Sequence, residues 1–138
     1  MSARRVLVVD DEPRILDIVK YFLEQGGFEV EAVDGGEKAL AAVRKKPFDV
    51  AVLDIVLVGD SGYDVAGRLK KLKNADSMPI LFMSSKVEMA DLFLENYDGR
   101  AEFLLKPFKK EALLETVATL LQGGGRQARK AATRAKKK

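Results

Sequence analysis

The sequence predicts an α/β fold in which helices cover both faces of a parallel sheet. Short apolar runs alternate along the chain with longer segments whose apolar residues recur every three or four positions. This alternation implies parallel strands that are joined by right-handed helical crossovers. The length of 138 residues allows one domain with a proper core. We find no internal repeat.

Five apolar runs predict the strands. They are residues 6–9, 28–33, 49–54, 80–83 and 101–105. The third run, Asp49-Val-Ala-Val-Leu-Asp54, contains no Gly or Pro and is rich in β-branched residues, which is typical of a strand buried on both faces. The second run alternates apolar residues with glutamates and is therefore expected to be half exposed.

Five amphipathic segments predict the helices. Pro13 opens the first helix, where its missing N–H costs nothing, and Gly26-Gly27 ends it. The apolar face of this helix is Ile15, Leu16, Ile18, Val19, Phe22 and Leu23. The later helices carry Ala39, Leu40 and Val43; then Val65, Leu69 and Leu72; then residues 87–97; and last residues 109–122. Gly59 and Gly62 are placed in the loop after the third strand.

The composition excludes several classes of site. Hydrophobic residues make up 47% and charged residues 33%, as in ordinary soluble globular proteins. The absence of cysteine excludes disulfides and thiolate metal sites, and the absence of histidine excludes His–Asp catalytic pairs and His metal ligands. No apolar run approaches the roughly 20 residues that span a bilayer, and the first residues predict no signal peptide. We therefore expect a cytoplasmic protein.

The charge is distributed unevenly. Residues 123–138 hold seven of the 24 basic residues and no acid, which leaves 17 basic against 21 acidic residues in 1–122. We therefore predict two parts: a mildly acidic domain, 1–122, and a tail, 123–138, hinged by three glycines and disordered. Two roles stay open for the tail. It is either a solvated extension or a weak, sequence-indifferent ligand for a polyanion, because it lacks aromatic residues for base stacking.

Chemically useful side chains follow four of the predicted strands. Because parallel strands share one carboxyl edge, these side chains should converge there; they are Asp10, Asp11, Asp54, Ser84 and Lys106. Taken singly, each has an ordinary explanation as a turn residue, a helix-dipole partner or a solvated charge. Together, uncompensated carboxylates would repel one another, and a hard divalent cation would remove that conflict. Oxygen ligands alone favour Mg²⁺.

Four sequence motifs carry a family resemblance. They are Val-Val-Asp-Asp-Glu at 8–12, Leu-Asp-Ile at 53–55 followed by Gly62, Met-Ser-Ser at 83–85, and Phe-Leu-Leu-Lys-Pro-Phe at 103–108. With these motifs the chain resembles the chemotaxis-like receiver domains of two-component response regulators, over nearly all of residues 5–122. The resemblance implies a flavodoxin-like, doubly wound five-stranded parallel sheet with strand order 2-1-3-4-5 and five helices.

The resemblance also implies a phosphoryl-transfer site. Asp54 would accept a phosphoryl group from a phosphohistidine of a sensor histidine kinase or phosphotransfer protein. Asp11, Asp54 and the backbone carbonyl of Val56 would bind Mg²⁺ directly, and Asp10 would act through water. The chain would catalyse only its own phosphorylation and dephosphorylation.

Other residues would respond to the phosphoryl group. Lys106 would pair with one phosphoryl oxygen and the Ser84 hydroxyl would donate to another. Phe103 would change rotamer with Ser84, and Pro107 would follow a cis bond. The resulting population shift would act on a face formed by the fourth helix, fifth strand and fifth helix, which would bind a downstream partner or a second copy of the chain.

Two residues depart from the family's usual pattern, and two occupy positions that tune its chemistry in relatives. Val58 stands where the family often has Pro, and we expect this to loosen the loop without touching the chemistry. Val56 and Lys86 occupy positions that tune the lifetime of the phosphoryl group, and we expect slow self-dephosphorylation. Arg100 replaces a small residue and should alter the partner-facing surface.

Three alternative functions fit the sequence less well. A haloacid-dehalogenase-type phosphatase needs a second Asp where Val56 stands, and a dinucleotide-binding enzyme needs a Gly-rich turn where the acidic pair lies. A degenerate receiver that binds proteins without phosphorylation is the stronger alternative, although none of the chemical residues is missing. The cognate kinase, the output pathway and the oligomeric state have no signature in the sequence.

Overall fold

A five-stranded parallel sheet forms the centre of the protein, whose structure is a computed structural model that describes residues 4–90, 97 and 99–124. The strands are β1 (Arg5–Val9), β2 (Glu29–Val33), β3 (Val50–Asp54), β4 (Ile80–Ser84) and β5 (Ala101–Leu105). Their order across the sheet is β2-β1-β3-β4-β5, with every pair parallel. The predicted fold class and strand order are thus confirmed.

Helices cover the sheet on both faces. They are α1 (Pro13–Gln25), α2 (Gly36–Lys45), α3 (Gly62–Lys70) and a C-terminal helix (Lys110–Leu121). Of the predicted helix 87–97, residues 88–90 are helical, while residues 91–96 lie outside the described part of the chain. Leu72, predicted to lie on the third helix, comes two residues after α3 ends, in a turn in which its N–H donates to the Leu69 carbonyl at 2.9 Å.

The core consists of two layers, one on each side of the sheet. Successive strand residues point to opposite faces, so β1 and β3 contribute to both layers. The layer beneath α2 and α3 contains Leu7, Val9, Ala51 and Leu53. The layer beneath α1 and the C-terminal helix contains Val6, Val8, Val50 and Val52. Burial of β3 on both faces agrees with its sequence, and each such Val or Leu contributes about 1.5–3 kcal/mol by leaving water.

The segment after β3 differs from the open loop that the sequence predicts. Val56–Leu57 pairs with Asp60–Ser61 as a short antiparallel hairpin, which turns at Gly59 with a φ of 70°. Gly62 is the first residue of α3, and the Ser61 hydroxyl caps this helix by accepting the Tyr63 N–H at 3.2 Å. This hairpin fixes the backbone that follows Asp54.

No helix among the described residues is both long and apolar enough to span a membrane. The predicted tail falls almost entirely outside the described residues, since only Gly123 and Gly124 of it are included. Its separation from the domain therefore stays a prediction.

Candidate functional site

A cleft of about 770 Å³ lies at the carboxyl edge of the sheet. Most of the predicted site residues line it, namely Asp11, Asp54, Val56, Ser84, Lys86, Lys106 and Pro107. Asp10 is fully buried and joins the cluster through its carboxylate, and Phe103 packs against the core layer beneath α2 and α3. Strands β1, β3, β4 and β5 thus bring together side chains from four distant parts of the chain.

Three carboxylates form the acidic part of the site. Oxygens of Asp10, Asp11 and Asp54 all lie within 4.8 Å of one another. Asp10 is inaccessible to solvent, and Asp54 is only 6% exposed. Because water cannot screen these charges fully, the cluster needs compensating positive charge.

Lys106 supplies part of that charge. Its Nζ lies 3.1 Å from Asp10 Oδ2 and 3.1 Å from Asp54 Oδ2. The backbone fixes this lysine, because the Lys106 N–H donates to the Ser84 carbonyl at 2.8 Å. Burial lowers the pKa of Lys106, but the charges of Asp54 and Asp10 outweigh it, and the net pKa is raised. The ammonium group therefore stays charged at neutral pH.

Asp54 has an unusual protonation equilibrium. Burial, followed by the charge of Asp10, raises the pKa of Asp54 from 3.8 to about 6, although Lys106 and the Val56 N–H oppose the shift. Charge on Asp54 is thus unfavourable in this environment without a further cation. The three carboxylates offer oxygen ligands of the kind that Mg²⁺ prefers.

Backbone N–H groups orient all three carboxylates. Glu12 N–H donates to Asp10 Oδ1 at 2.9 Å, Val56 N–H to Asp54 Oδ1 at 3.1 Å, and Val58 N–H to Asp11 Oδ2 at 2.6 Å. The last bond corrects one expectation. Val58 was predicted to leave the chemistry untouched, but its backbone contacts a candidate metal ligand.

Ser84 and its neighbours form the opposite wall. Ser84 is buried at the end of β4, and its Oγ accepts the Lys86 N–H at 3.1 Å. Lys86 is exposed at the cleft, and the bond between Lys106 and Pro107 is cis. Phe103 lies half-buried in β5 and pairs in register with Phe82.

An apolar wall of the cleft was missed by the sequence analysis. Ile15, Ile18 and Phe22 of α1, together with Phe108, line the cleft beside the polar cluster. Ile18, which was assigned to the apolar face of the helix, is 48% exposed. The sequence did carry a signal for this apolar wall. The apolar face of α1 has six positions, which is more than packing on the sheet requires.

Comparison with known proteins identifies relatives of this domain. The family model described as the response regulator receiver domain matches residues 6–118. The DNA-binding response regulator MtrA of Mycolicibacterium smegmatis is 34% identical over 120 residues, which are 86% of this chain and 51% of that protein. The transcriptional regulator RpaA of a Synechocystis strain is 34% identical over 119 residues, 86% of this chain and 49% of that protein. The chain thus spans about half the length of these relatives.

Solved structures share the fold. The chemotaxis response regulator CheY4 of Vibrio cholerae has a TM-score of 0.77 at 28% identity, covering 85% of this chain and 98% of that one. A CheY-like receiver domain of Methanospirillum hungatei has a TM-score of 0.78 at 30% identity, covering 88% and 96%. The receiver domain of the Pseudomonas aeruginosa sensor kinase PA1611, with a magnesium ion in its active-site cleft, has a TM-score of 0.77 at 22% identity, covering 89% and 100%. At that identity the likeness is one of fold.

Proposed function

Because the chain belongs to the family of response regulator receiver domains, we propose that Asp54 accepts a phosphoryl group in a Mg²⁺-dependent reaction. The donor is a phosphohistidine of a sensor histidine kinase or a phosphotransfer protein. The observation that carries the proposal is the placement of Asp54, at the end of β3, within reach of Lys106 and two further carboxylates.

The transfer exchanges one bond for another. An Asp54 carboxylate oxygen forms a bond to phosphorus while the bond between phosphorus and the donor's imidazole nitrogen breaks, and the imidazole leaves with the electron pair. The product is an acyl phosphate. A bound magnesium ion supplies neutralisation of the charge on the transferring group. Asp11, Asp54 and the carbonyl of Val56 would hold it directly, and Asp10 would hold it through water.

Lys106 and Ser84 link the phosphoryl group to the rest of the domain. The Lys106 ammonium, now shared by Asp10 and Asp54, pairs with a phosphoryl oxygen, and the Ser84 hydroxyl donates to another. Phe103 changes rotamer with Ser84. The output face comprises the fourth helix, β5 and the C-terminal helix, and binds a downstream protein or a second copy of the chain. Much of the fourth helix lies outside the described residues.

Two further parts of the proposal concern the lifetime of the phosphoryl group and the location of the protein. The Val56 side chain is exposed at the cleft and cannot hydrogen-bond an attacking water, and the Lys86 cation lies nearby, so hydrolysis of the acyl phosphate is slow. A cytoplasmic location agrees with the absence of cysteine. In this proposal the chain catalyses only its own phosphorylation and dephosphorylation.

Phosphorylation by a small donor tests the proposal. Incubated with acetyl phosphate and Mg²⁺, the protein should gain one base-labile phosphoryl group, detected by intact mass, and should gain none after metal chelation. Asp54→Asn should abolish the label. Asp49→Asn, which changes an exposed acid at the other end of the central strand, should keep it. Labelling that survives Asp54→Asn would falsify the assignment, and a parent protein that never takes up the label would favour the degenerate receiver.

A further inference from the structure

Exposed basic side chains collect at the amino edge of the sheet, which is opposite the cleft. The last turn of α2 and the residue after it hold Arg44, Lys45 and Lys46, and the turn after α3 holds Lys71 and Lys73. All five side chains are exposed, and none forms an ion pair with another described residue. We call these five residues the basic edge.

One hydrogen bond brings the two halves of the basic edge together. Helices α2 and α3 both end at the amino edge, because each leads into the next strand of the parallel sheet. The Asn74 side chain donates to the Val43 carbonyl at 2.9 Å, so the turn after α3 lies against the end of α2. The five cations therefore form one surface rather than two.

The basic residues of the domain are concentrated at this edge. Residues 44–49 and 70–76 hold six basic against two acidic residues, and the rest of 1–122 holds 11 basic against 19 acidic residues. The negative ends of α2 and α3 favour cations in their last turns. However, three members of the basic edge lie beyond Lys45 and Lys70, where the two helices end. Compensation of the helix dipoles thus explains only part of the cluster.

The basic tail starts beside the same edge. Gly124, the last described residue, follows the C-terminal helix, and its N–H donates to a carbonyl of that helix at 2.9 Å. Arg100 Nη2 donates to the Leu120 carbonyl at 2.5 Å. Lys70 Nζ packs directly against Gly99, where an added Cβ would collide with it. These contacts connect the end of the C-terminal helix to the end of α3 along the amino edge.

The seven cations of the tail lie within reach of the basic edge. The end of α2 leads into β3, which is two strand spacings from β5, or about 10 Å. The 14 residues 125–138 span up to about 50 Å when fully extended. A nucleic-acid duplex carries one phosphate per about 1.7 Å of its axis, so one short duplex can contact both the basic edge and the tail.

We propose that the basic edge and the tail together bind the phosphate backbone of a nucleic-acid duplex, without regard to its sequence. Lys and Arg side chains that contact phosphates release counterions, which gives affinity but no reading of the bases. Without the tail, the basic edge belongs to a domain of net negative charge. Detectable binding therefore requires both parts.

A duplex fits this surface better than a single strand or a bilayer does. Binding of single strands depends on exposed aromatic side chains for base stacking, and Phe48, the aromatic residue beside the basic edge, is buried. Insertion into a bilayer depends on exposed apolar side chains. The large apolar side chains that are exposed among the described residues lie outside the basic edge.

Neutralisation of the basic edge in the full-length chain tests the inference. The edge variant combines four substitutions: Lys45→Gln, Lys46→Gln, Lys71→Gln and Lys73→Gln. A control variant loses the same charge from exposed positions elsewhere: Arg14→Gln, Lys20→Gln, Lys38→Gln and Lys109→Gln. Fluorescence anisotropy of a labelled duplex DNA of mixed sequence, titrated at several salt concentrations, measures the affinity of each protein.

The salt dependence separates the two variants. Each lost phosphate contact reduces the slope of log affinity against log salt by about 0.9, so the edge variant should lose up to about 3.6 of the slope and about tenfold or more in affinity at low salt. The control variant should keep the parent's slope to within about 1. An edge variant with the parent's slope, or a loss that the control shares, overturns the inference. A parent that binds phosphatidylserine vesicles but no duplex overturns it as well.

Amine-reactive labelling of the parent protein covers the case in which the edge variant does not fold. Bound duplex should protect the four lysines of the basic edge from acetylation by acetic anhydride, read by peptide mass spectrometry. It should leave Lys20 and Lys109 as reactive as in the free protein, and equal protection of all six lysines overturns the inference. Acetyl phosphate labelling of Asp54, at the opposite edge of the sheet, should be the same in the parent and the edge variant. Failure of the proposed function is therefore distinguishable.

Discussion

At Asp54, charge and burial oppose each other. The folded domain raises the pKa of this carboxyl to about 6, well above its ordinary value of 3.8, first through burial and then through Asp10. A raised carboxyl pKa means that the folded state binds a proton more tightly than the unfolded state does. Ionisation of Asp54 therefore destabilises the metal-free domain as the pH rises from about 4 to about 6.

Replacement of Asp54 by Asn should remove this pH-dependent penalty. Without Mg²⁺, the unfolding free energy of Asp54→Asn relative to the parent should increase between pH 4 and pH 6 and then level off. The increase should be up to roughly 3 kcal/mol, the free-energy equivalent of the pKa shift. Urea unfolding of both proteins at several pH values measures it. A difference between the two proteins that stays constant over this range would contradict the raised pKa.

The hairpin after β3 is the element on which the site depends most. Its two-residue strands are too short to anchor themselves, and Arg68 ties them to α3 through Asp60. The same arginine approaches Glu37 at 3.7 Å, but that glutamate is almost fully exposed and contributes little. The hydrogen bond from the Ser61 backbone and then the contact with Arg68 lower the pKa of Asp60, which keeps its carboxylate charged.

Arg68→Ala should loosen the hairpin more than it destabilises the fold. We expect the unfolding free energy to fall by about 1 kcal/mol or less, because the ion pair is partly solvated. Mg²⁺ affinity should fall by more than this stability loss explains, since Val56, whose carbonyl is an expected ligand, lies in the hairpin. Titration calorimetry and thermal unfolding measure the two effects.

Lys38→Ala is the matched control for Arg68→Ala. It removes an exposed ion pair with Asp34 at the start of the adjacent α2, where N and O lie 3.0 Å apart, and should change neither quantity. If Arg68→Ala lowers stability but leaves Mg²⁺ affinity at the parent's value, the hairpin does not need this anchor to hold the metal ligands.

Across the whole molecule, the alternation of apolar runs and amphipathic helices was enough to predict the sheet and its carboxyl edge. The family resemblance, rather than periodicity, supplied the strand order. The hairpin was not predicted because two-residue strands carry no periodic signal. The hydrogen bond from Val58 to Asp11 was not predicted because its donor is a backbone N–H, which the identity of the side chain does not reveal. Helical spacing placed Ile18 on the apolar face of α1, but spacing alone does not specify that this part of the face borders the cleft and stays 48% exposed.

The basic tail gives the last prediction, at the scale of the full chain. Truncation after Gln122 should leave acetyl phosphate labelling of Asp54 unchanged, because every described site residue precedes that point. It should also remove binding to duplex DNA or anionic vesicles at low salt, since the remaining 1–122 carry 17 basic against 21 acidic residues. If all seven tail cations contact duplex phosphates, log affinity against log salt should have a slope of up to about −6. A tail of equal length with its basic residues changed to glutamine controls for length. A full-length protein that ignores both polyanions at low salt would reduce the tail to a solvated extension.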